Sequence, residues 1–405
     1  MLQFMYEMNT RILIFALLCF LCIKSKAQNI LKDNAIGLSL TMHSKILNDE
    51  RALEIFLPDG YADSEIEYPV LYILDGQRYF LHGVSLQKSF VEFKQTSEFI
   101  IVGVSKNPSD RNRNYSVNSH QYLEHLKKEV INYIDTDFRT TKTRMLFGWA
   151  YAGGFVIETL TKEPDLFDVY IAASPFPVEE KINKVDSLFK ENPNFDKLLY
   201  FTSGTNEGVV KKGTAELNTL LTNKAPKTIN WTYKELEGEE HRSTPFTTLY
   251  HGITAYFDYY PELQFNTLAE FSKAGGLSYV YDYYKKRATR FEFPNELSDW
   301  TMFSLTRNAI RANDYEQFDL MFTKFEKTGF ISRLTLNRAS SIAAFCLDNK
   351  QYDKAINLYT LLIEKHPSSE IPLNGLGDVY TALQKNRKAS RYFRMAKKLS
   401  ESVSD

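Results

Sequence analysis

Cysteine is scarce in this sequence. The 405 residues include three cysteines, and two of them, Cys19 and Cys22, lie near the N-terminus. If that end is removed as a signal, Cys346 remains alone, which excludes an internal disulfide and a cysteine-ligated metal site in the mature chain. Neither Cys19 nor Cys22 follows the small residue that a lipoprotein signal requires.

An excess of charge of either sign is also missing. The chain has 49 basic and 50 acidic residues, a net charge of -1 and no long run of like charge. A nucleic-acid partner is not expected, because binding to a phosphate backbone needs concentrated positive charge. The sequence has no glycine-rich phosphate loop, metal-ligand spacing or dinucleotide fingerprint, so neither a cofactor nor a metal is expected.

Tracts of proline, glycine or serine are absent, while 43% of the residues are apolar and 24% are charged. This composition predicts a folded chain rather than a disordered one. Because 405 residues exceed one typical core, we expect two ordered domains.

The N-terminus carries the pattern of a secretory signal. Arg11 precedes the apolar run 12–23, and small residues stand at Ser25 and Ala27. The run has 12 residues, which is short of the roughly 20 that a membrane-spanning helix needs. We therefore interpret residues 1–27 as a signal peptide and expect an exported protein, either periplasmic or secreted.

Short β-branched and aromatic runs alternate with amphipathic segments up to about residue 260. This alternation predicts a mostly parallel sheet covered by helices, in an α/β domain spanning residues 28–260. Apolar residues that recur at every fourth position also predict a helix with one apolar stripe over Tyr122–Phe138. The predicted strands are Leu38–Met42, Leu53–Leu57, Val70–Leu74, Phe99–Val104, Met145–Phe147, Val169–Ala173, Leu198–Thr202 and Ile229–Tyr233.

Beyond Tyr260 the pattern is helical, which predicts a helical linker over 261–295 and an all-α domain over 296–405. Ala355 and Ala389 lie 34 positions apart within two similar segments, and this is the tetratricopeptide period. Two such units are visible, and the region 300–328 is a candidate for an earlier, degenerate pair. A tail of this kind is a candidate surface for a protein partner.

A strand at Met145–Phe147 runs into the small residues Gly148 to Gly154 and then into a helix at Phe155–Leu160. Strand, sharp turn and helix in this order are typical of the nucleophile elbow, G-x-S-x-G, of α/β-hydrolases. Here Ala150 occupies the position of the catalytic serine, and Ala152 that of the second glycine.

Several segments around this elbow resemble one family, the Putative esterase family, which includes enterochelin-esterase-like proteins. They lie between about Leu38 and Tyr256, and they are 68–76, 101–104, 110–115, 133–135, 138–140, 164–167 and 172–175. Segment 110–115 resembles an arginine-containing loop of the family. The resemblance implies an α/β-hydrolase that cleaves carboxylic esters through a serine, with oxyanion or binding contacts from Gly76, Gln77 and Tyr151.

The resemblance also places a catalytic histidine after the last strand, where His241 stands. The order nucleophile, acid, histidine requires an acid between the elbow and His241, and Glu207 follows a predicted strand there. The hydroxyls of Tyr151, Ser174 and Ser203 are nearby, but we interpret them as structural.

Ala150 has neither the lone pair nor the proton that covalent acyl transfer requires. Three interpretations stay open: an inactive or very weak esterase that keeps a cleft for a small ester or its product, an active hydrolase with a native serine or an unconventional mechanism, and a protein-binding adaptor. Ala150 is either a natural loss or an engineered change, and the unusual neighbours Trp149 and Ala152 favour natural loss. Siderophore, feruloyl and acetyl esters are all compatible with the family.

Overall fold

The computed structural model describes residues 35–105 and 110–403, with side chains to residue 401. The predicted signal peptide, 1–27, lies outside the described residues. From Leu38 onwards, the described residues form one compact unit. Within the described part of the chain, no helix is long and apolar enough to cross a membrane.

Eight strands form one sheet with the spatial order β1-β2-β4-β3-β5-β6-β7-β8. β2 pairs antiparallel with both β1 and β4, and the remaining pairs are parallel. The predicted mostly parallel sheet and each of its eight strands are confirmed. The strands are β1 (Leu38–Ser44), β2 (Asp49–Phe56), β3 (Tyr68–Leu74), β4 (Ile100–Ser105), β5 (Thr140–Trp149), β6 (Val169–Ala173), β7 (Leu198–Gly204) and β8 (Asn230–Leu236).

Helices cover both faces of the sheet. Alternate residues of β3 enter different cores, with Val70 and Tyr72 in one apolar cluster and Leu71 and Ile73 in the other. Both faces are buried, as a parallel sheet requires. The helices in this part of the chain are α1 (Gly76–Glu92), α2 (Ser119–His125), α3 (Asn132–Asp137), α4 (Tyr151–Lys162), α5 (Glu179–Glu191), α6 (Val209–Lys224) and α7 (Thr244–Tyr256).

The helix predicted over Tyr122–Phe138 is present but is not regular. α2 and α3 are joined by a π-helical segment, Leu126–Ile131, and Phe138 is already extended. A stripe that repeats every fourth residue drifts around a regular helix of 3.6 residues per turn. The wider π turns offset this drift, so the stripe from Tyr122 to Ile134 stays buried against the sheet.

The rest of the chain is helical and has its own apolar cluster. The helices are α8 (Leu268–Ala274), α9 (Gly276–Phe291), α10 (Asp299–Arg311), α11 (Tyr315–Phe325), α12 (Leu336–Asp348), α13 (Tyr352–Lys365), α14 (Ile371–Ala382) and α15 (Asn386–Val403). α8, with 7 residues, is the shortest of these eight helices. The helical region is confirmed, whereas the exact domain limits stay a prediction.

The last six of these helices form three pairs joined by the same turn. In each turn a residue with positive φ stands two positions before the second helix: Asn313, Lys350 and Gln384. The amide of the following residue bonds to the carbonyl five residues earlier, which is the Schellman arrangement. The pair α10–α11 therefore repeats the turn of the two pairs that the sequence period indicates.

Candidate active site

The candidate site lies at the carboxyl ends of β3 and β5, which are neighbours in the sheet. The chain leaves β3 towards β4 on one side and leaves β5 towards β6 on the other. Such a reversal opens a crevice at the strand ends, where ligands bind in open α/β sheets. α1 and α4 both begin at this crevice, directly after the two strands.

Ala150 forms the sharp turn between β5 and α4. Its φ of 55° and ψ of -118° are unfavourable for a residue with a side chain. The turn is closed by bonds from the Ala150 amide to the Ala173 carbonyl, 3.0 Å, and from the Phe176 amide to the Ala150 carbonyl, 3.0 Å. The helix begins at Tyr151, four residues earlier than predicted.

The glycines of the elbow are required by close contacts. A Cβ on Gly148 would lie 2.4 Å from the Ala152 carbonyl oxygen, and a Cβ on Gly154 would lie 2.4 Å from that of Phe176. Ala152 itself is fully buried and fits beside the strand. The turn therefore keeps the geometry of a nucleophile elbow even though one family glycine is replaced.

The three residues predicted to supply oxyanion or binding contacts are at the starts of two helices. Gly76 and Gln77 are the first residues of α1, and Tyr151 is the first residue of α4. Amides in a first helical turn have no acceptor within the helix, and the helix dipole favours negative charge there. The two helix starts on adjacent strands can stabilise a developing negative charge.

Glu207 and His241 are brought together across β7 and β8. Glu207 Oε1 lies 2.6 Å from His241 Nδ1. The Glu207 side chain is 3% exposed, whereas that of His241 is 41% exposed. A carboxylate that accepts the Nδ1 proton fixes the imidazole tautomer and leaves Nε2 able to accept a proton from another group.

The second oxygen of Glu207 is held by two further donors. Oε2 accepts hydrogen bonds from the Gly204 amide, 2.5 Å, and from Ser174 Oγ, 2.8 Å. Burial by itself would raise the pKa of Glu207, but the hydrogen bonds from His241, Gly204 and Ser174 hold that pKa below its usual value. The carboxylate is therefore ionised at neutral pH.

Trp149 connects the elbow to the histidine loop. Its Nε1 donates to the His241 carbonyl oxygen at 2.7 Å, and the two rings are 4.8 Å apart. His241 therefore lies beside the residue that precedes Ala150. Sequence reasoning noted Trp149 only as an unusual neighbour, because nothing in the sequence indicates a partner 92 positions away.

Arg111 is a second residue whose role the sequence did not indicate. It donates to buried Asp75 at 2.8 Å and to the Trp149 carbonyl at 3.0 Å, and its guanidinium carbon lies 4.8 Å from the Trp149 ring centroid. Arg111 therefore joins the end of β3 to the end of β5, across the crevice. Its position in an arginine-containing loop was the available signal.

The three nearby hydroxyls lie in different environments. Ser174 is fully buried and bonds to Thr244 at 2.7 Å as well as to Glu207, while Ser203 is buried against the Tyr233 hydroxyl at 2.8 Å. The ring of half-buried Tyr151 lies at the edge of the Phe176 ring. Both serines thus make structural hydrogen bonds.

A cavity of about 510 Å³ opens beside Glu207 and His241, lined by residues of the loops that follow β7 and β8 and by Val210 of α6. The arrangement contains an imidazole oriented by a buried carboxylate and two helix starts at one crevice. The residue at the apex of the turn presents a methyl group, which cannot attack a carbonyl carbon.

A family model described as Putative esterase matches residues 44–262. No curated protein matches the chain. Among solved structures, an IroE-like serine hydrolase from Shewanella oneidensis is 23% identical, with a TM-score of 0.51 over 70% of this chain and 97% of that one.

Two other solved structures share the fold. The BES protein from Bacillus cereus is 23% identical, with a TM-score of 0.51 over 57% of this chain and 98% of that one. An uncharacterised protein from Capnocytophaga ochracea is 15% identical, with a TM-score of 0.52 over 89% of this chain and 93% of that one. The last match extends well beyond the esterase region, into the helical tail.

Proposed function

This chain belongs to the Putative esterase family, and we propose that it is a pseudo-esterase. On this proposal the protein keeps a cleft for a small carboxylic ester or its product but has lost covalent acyl transfer. The observation that carries the proposal is Ala150 at the apex of the elbow, with φ 55° and ψ -118°. The strained turn that would expose a serine oxygen is retained, and the oxygen is missing.

The neighbours of Ala150 support natural loss of the nucleophile over an engineered change. Trp149 stands where the family often has histidine, and its Nε1 is bonded to the His241 carbonyl at 2.7 Å. Ala152 replaces a glycine and is packed without exposed surface. An engineered Ser→Ala change would leave these two positions in their usual form.

A p-nitrophenyl ester assay tests the proposal. We expect no appreciable turnover by the unmodified chain, measurable turnover by Ala150→Ser, and loss of that turnover when His241→Ala is added. In subtilisin, a serine protease with a different fold, loss of the catalytic serine lowers the turnover number about 10⁶-fold. Appreciable turnover by the unmodified chain would rule out the pseudo-esterase.

Weak hydrolysis by activated water is a second candidate function. It is favoured by the retained Glu207–His241 pair, which is held at 2.6 Å although no serine is present to be deprotonated. An imidazole so oriented can accept a proton from water. If this is the function, His241→Ala abolishes a slow turnover that the unmodified chain shows.

We also propose that the protein acts outside the cytoplasm and that its helical tail binds another protein. Export is supported by the signal pattern of residues 1–27. N-terminal sequencing of the protein from a native membrane or periplasmic fraction tests the cleavage after Ala27.

Binding of another protein by the tail is supported by the three helix pairs with one repeated turn, since stacked helix pairs present extended recognition surfaces.

A further inference from the structure

Three arginines of the helical tail lie together without a carboxylate partner. Arg307 and Arg311 are on α10, and Arg338 is on the adjacent helix α12. Across residues 35–105 and 110–403, no carboxylate lies within ion-pair distance of any of the three guanidinium groups, and the Nε atom of Arg307 is buried without a hydrogen-bond partner. Like charges held together in this way repel one another unless an anion joins them.

Two aromatic rings of α10 form the base of this cluster. The guanidinium carbon of Arg307 lies 5.4 Å from the Trp300 ring centroid and 5.8 Å from that of Phe303. The corresponding distances for Arg338 are 4.9 Å and 5.2 Å. Cation–π contacts of this kind fix two guanidinium groups near one point. Burial, together with the neighbouring charges of Arg311 and Arg338, lowers the pKa of Arg307.

We propose that Arg307, Arg311 and Arg338 bind the carboxylates of an acidic peptide segment of a partner protein. Guanidinium groups match carboxylates through paired hydrogen bonds. Residues 300, 303, 307 and 311 follow one face of α10 at helical spacing. Phe303 is buried beneath the guanidinium groups, whereas Arg311 and Arg338 are exposed, so the cations form a stripe that reaches across to α12. Such a stripe suits a chain with several carboxylates better than one enclosed ion. The inference rests on the proposed partner-binding role of the tail and is independent of the chemistry at Ala150.

Binding of a fluorescein-labelled hexaglutamate peptide to the full mature chain, followed by anisotropy, tests this inference. We expect binding that weakens as salt increases. The double variant Arg307→Gln/Arg338→Gln should bind about tenfold more weakly or worse, since each lost charge-assisted bond is substantial. Arg338→Lys, which keeps the charge but not the planar fork, should lose less than Arg338→Gln.

The matched control is Arg391→Gln/Arg394→Gln, which removes the same charge from the exposed face of α15. We expect less than a twofold change in hexaglutamate binding for this control. Melting temperatures check folding, and the Arg307→Gln/Arg338→Gln variant should melt close to the unmodified chain, because the loss of cation–π contacts offsets the removal of repulsion.

Other outcomes overturn the inference in distinguishable ways. Equal hexaglutamate binding by the Arg307→Gln/Arg338→Gln variant would place the contact elsewhere. Binding of a neutral hexaglutamine peptide instead of hexaglutamate would refute the acidic partner while leaving a partner-binding tail. Failure of both peptides would refute the acidic partner, while the proposed binding of another protein by the tail, which is supported by the three helix pairs, would stand. Binding of free glutarate without hexaglutamate would assign the arginines to a small anion, and preference for a thymidine hexanucleotide would assign them to nucleic acid.

Discussion

Glu207 Oε1 lies 2.6 Å from Nδ1 of His241, although the two residues are 34 positions apart in the chain. The loops after β7 and β8 meet because these strands are neighbours and parallel. The pair has the geometry by which an acid orients a catalytic base. The central feature of the molecule is that this acid and histidine are paired although Ala150 stands at the position of the nucleophile.

The ionised state of Glu207 should contribute to stability at neutral pH. Because folding lowers its pKa, this contribution is present above the unfolded pKa and is lost as the pH falls through the folded pKa. We expect Glu207→Gln to lower the free energy of unfolding at pH 7. The free energy of unfolding of this variant should also decrease less steeply as the pH is lowered. Urea denaturation at a series of pH values measures both effects. Glu364→Gln, at an exposed site on α13, should follow the unmodified chain.

Ser174 should be important for holding Glu207 in place. Its buried hydroxyl bonds to Glu207 at 2.8 Å and to Thr244 at 2.7 Å. Ser174→Ala leaves buried groups short of a partner, which costs about 1 to 3 kcal/mol. Chemical denaturation at pH 7 tests this, with Ser85→Ala on the exposed face of α1 as a control that should not destabilise. Equal effects of the two variants would contradict the assignment.

Replacing each of the two elbow alanines with glycine should change the free energy of unfolding in opposite directions. Ala150 is strained at φ 55°, so Ala150→Gly should raise the free energy of unfolding by about 1 kcal/mol. Ala152 is fully buried in the first turn of α4, where glycine is less favourable by about 1 kcal/mol because it loses a packed methyl group. Thermal and urea unfolding of both variants measure the difference. A loss of stability in Ala150→Gly would show that the turn is not strained.

Much of the fold could be predicted from the sequence, because it depends on local patterns. The eight strands are runs of β-branched and aromatic residues, and both faces of β3 are buried as a parallel strand requires. The helix start at Tyr151 was missed because the small residues 152–154 give little helical periodicity. The π-helical segment after His125 was missed because no residue type marks it.

The site was only partly predictable. Glu207 and His241 could be proposed from chain order and strand ends, and the structure brings them together. Ser174, Trp149 and Arg111 could not be given partners, because these partners lie 33 to 92 positions away. Such contacts depend on which strands become neighbours, and composition and spacing do not reveal the strand order.

Arg111 should be required for a stable crevice. It is paired with Asp75, whose side chain is fully buried, and it also bonds to the Trp149 carbonyl. Removing one partner of a buried ion pair costs about 3 to 5 kcal/mol, since the other charge stays unpaired. We expect Arg111→Gln to destabilise by that order, as measured by urea denaturation. Arg113→Gln is the matched control in the same segment, where the side chain is 54% exposed, and it should change stability by about 1 kcal/mol or less.

The most direct test is covalent labelling with a fluorophosphonate, read by intact mass. A serine oxygen attacks phosphorus, fluoride leaves, and a base such as His241 accepts the serine proton. We expect one phosphonyl group on Ala150→Ser, none on the unmodified chain, and slow or no labelling of Ala150→Ser/His241→Ala. Labelling of the unmodified chain would contradict it, and so would a folded Ala150→Ser variant that does not react.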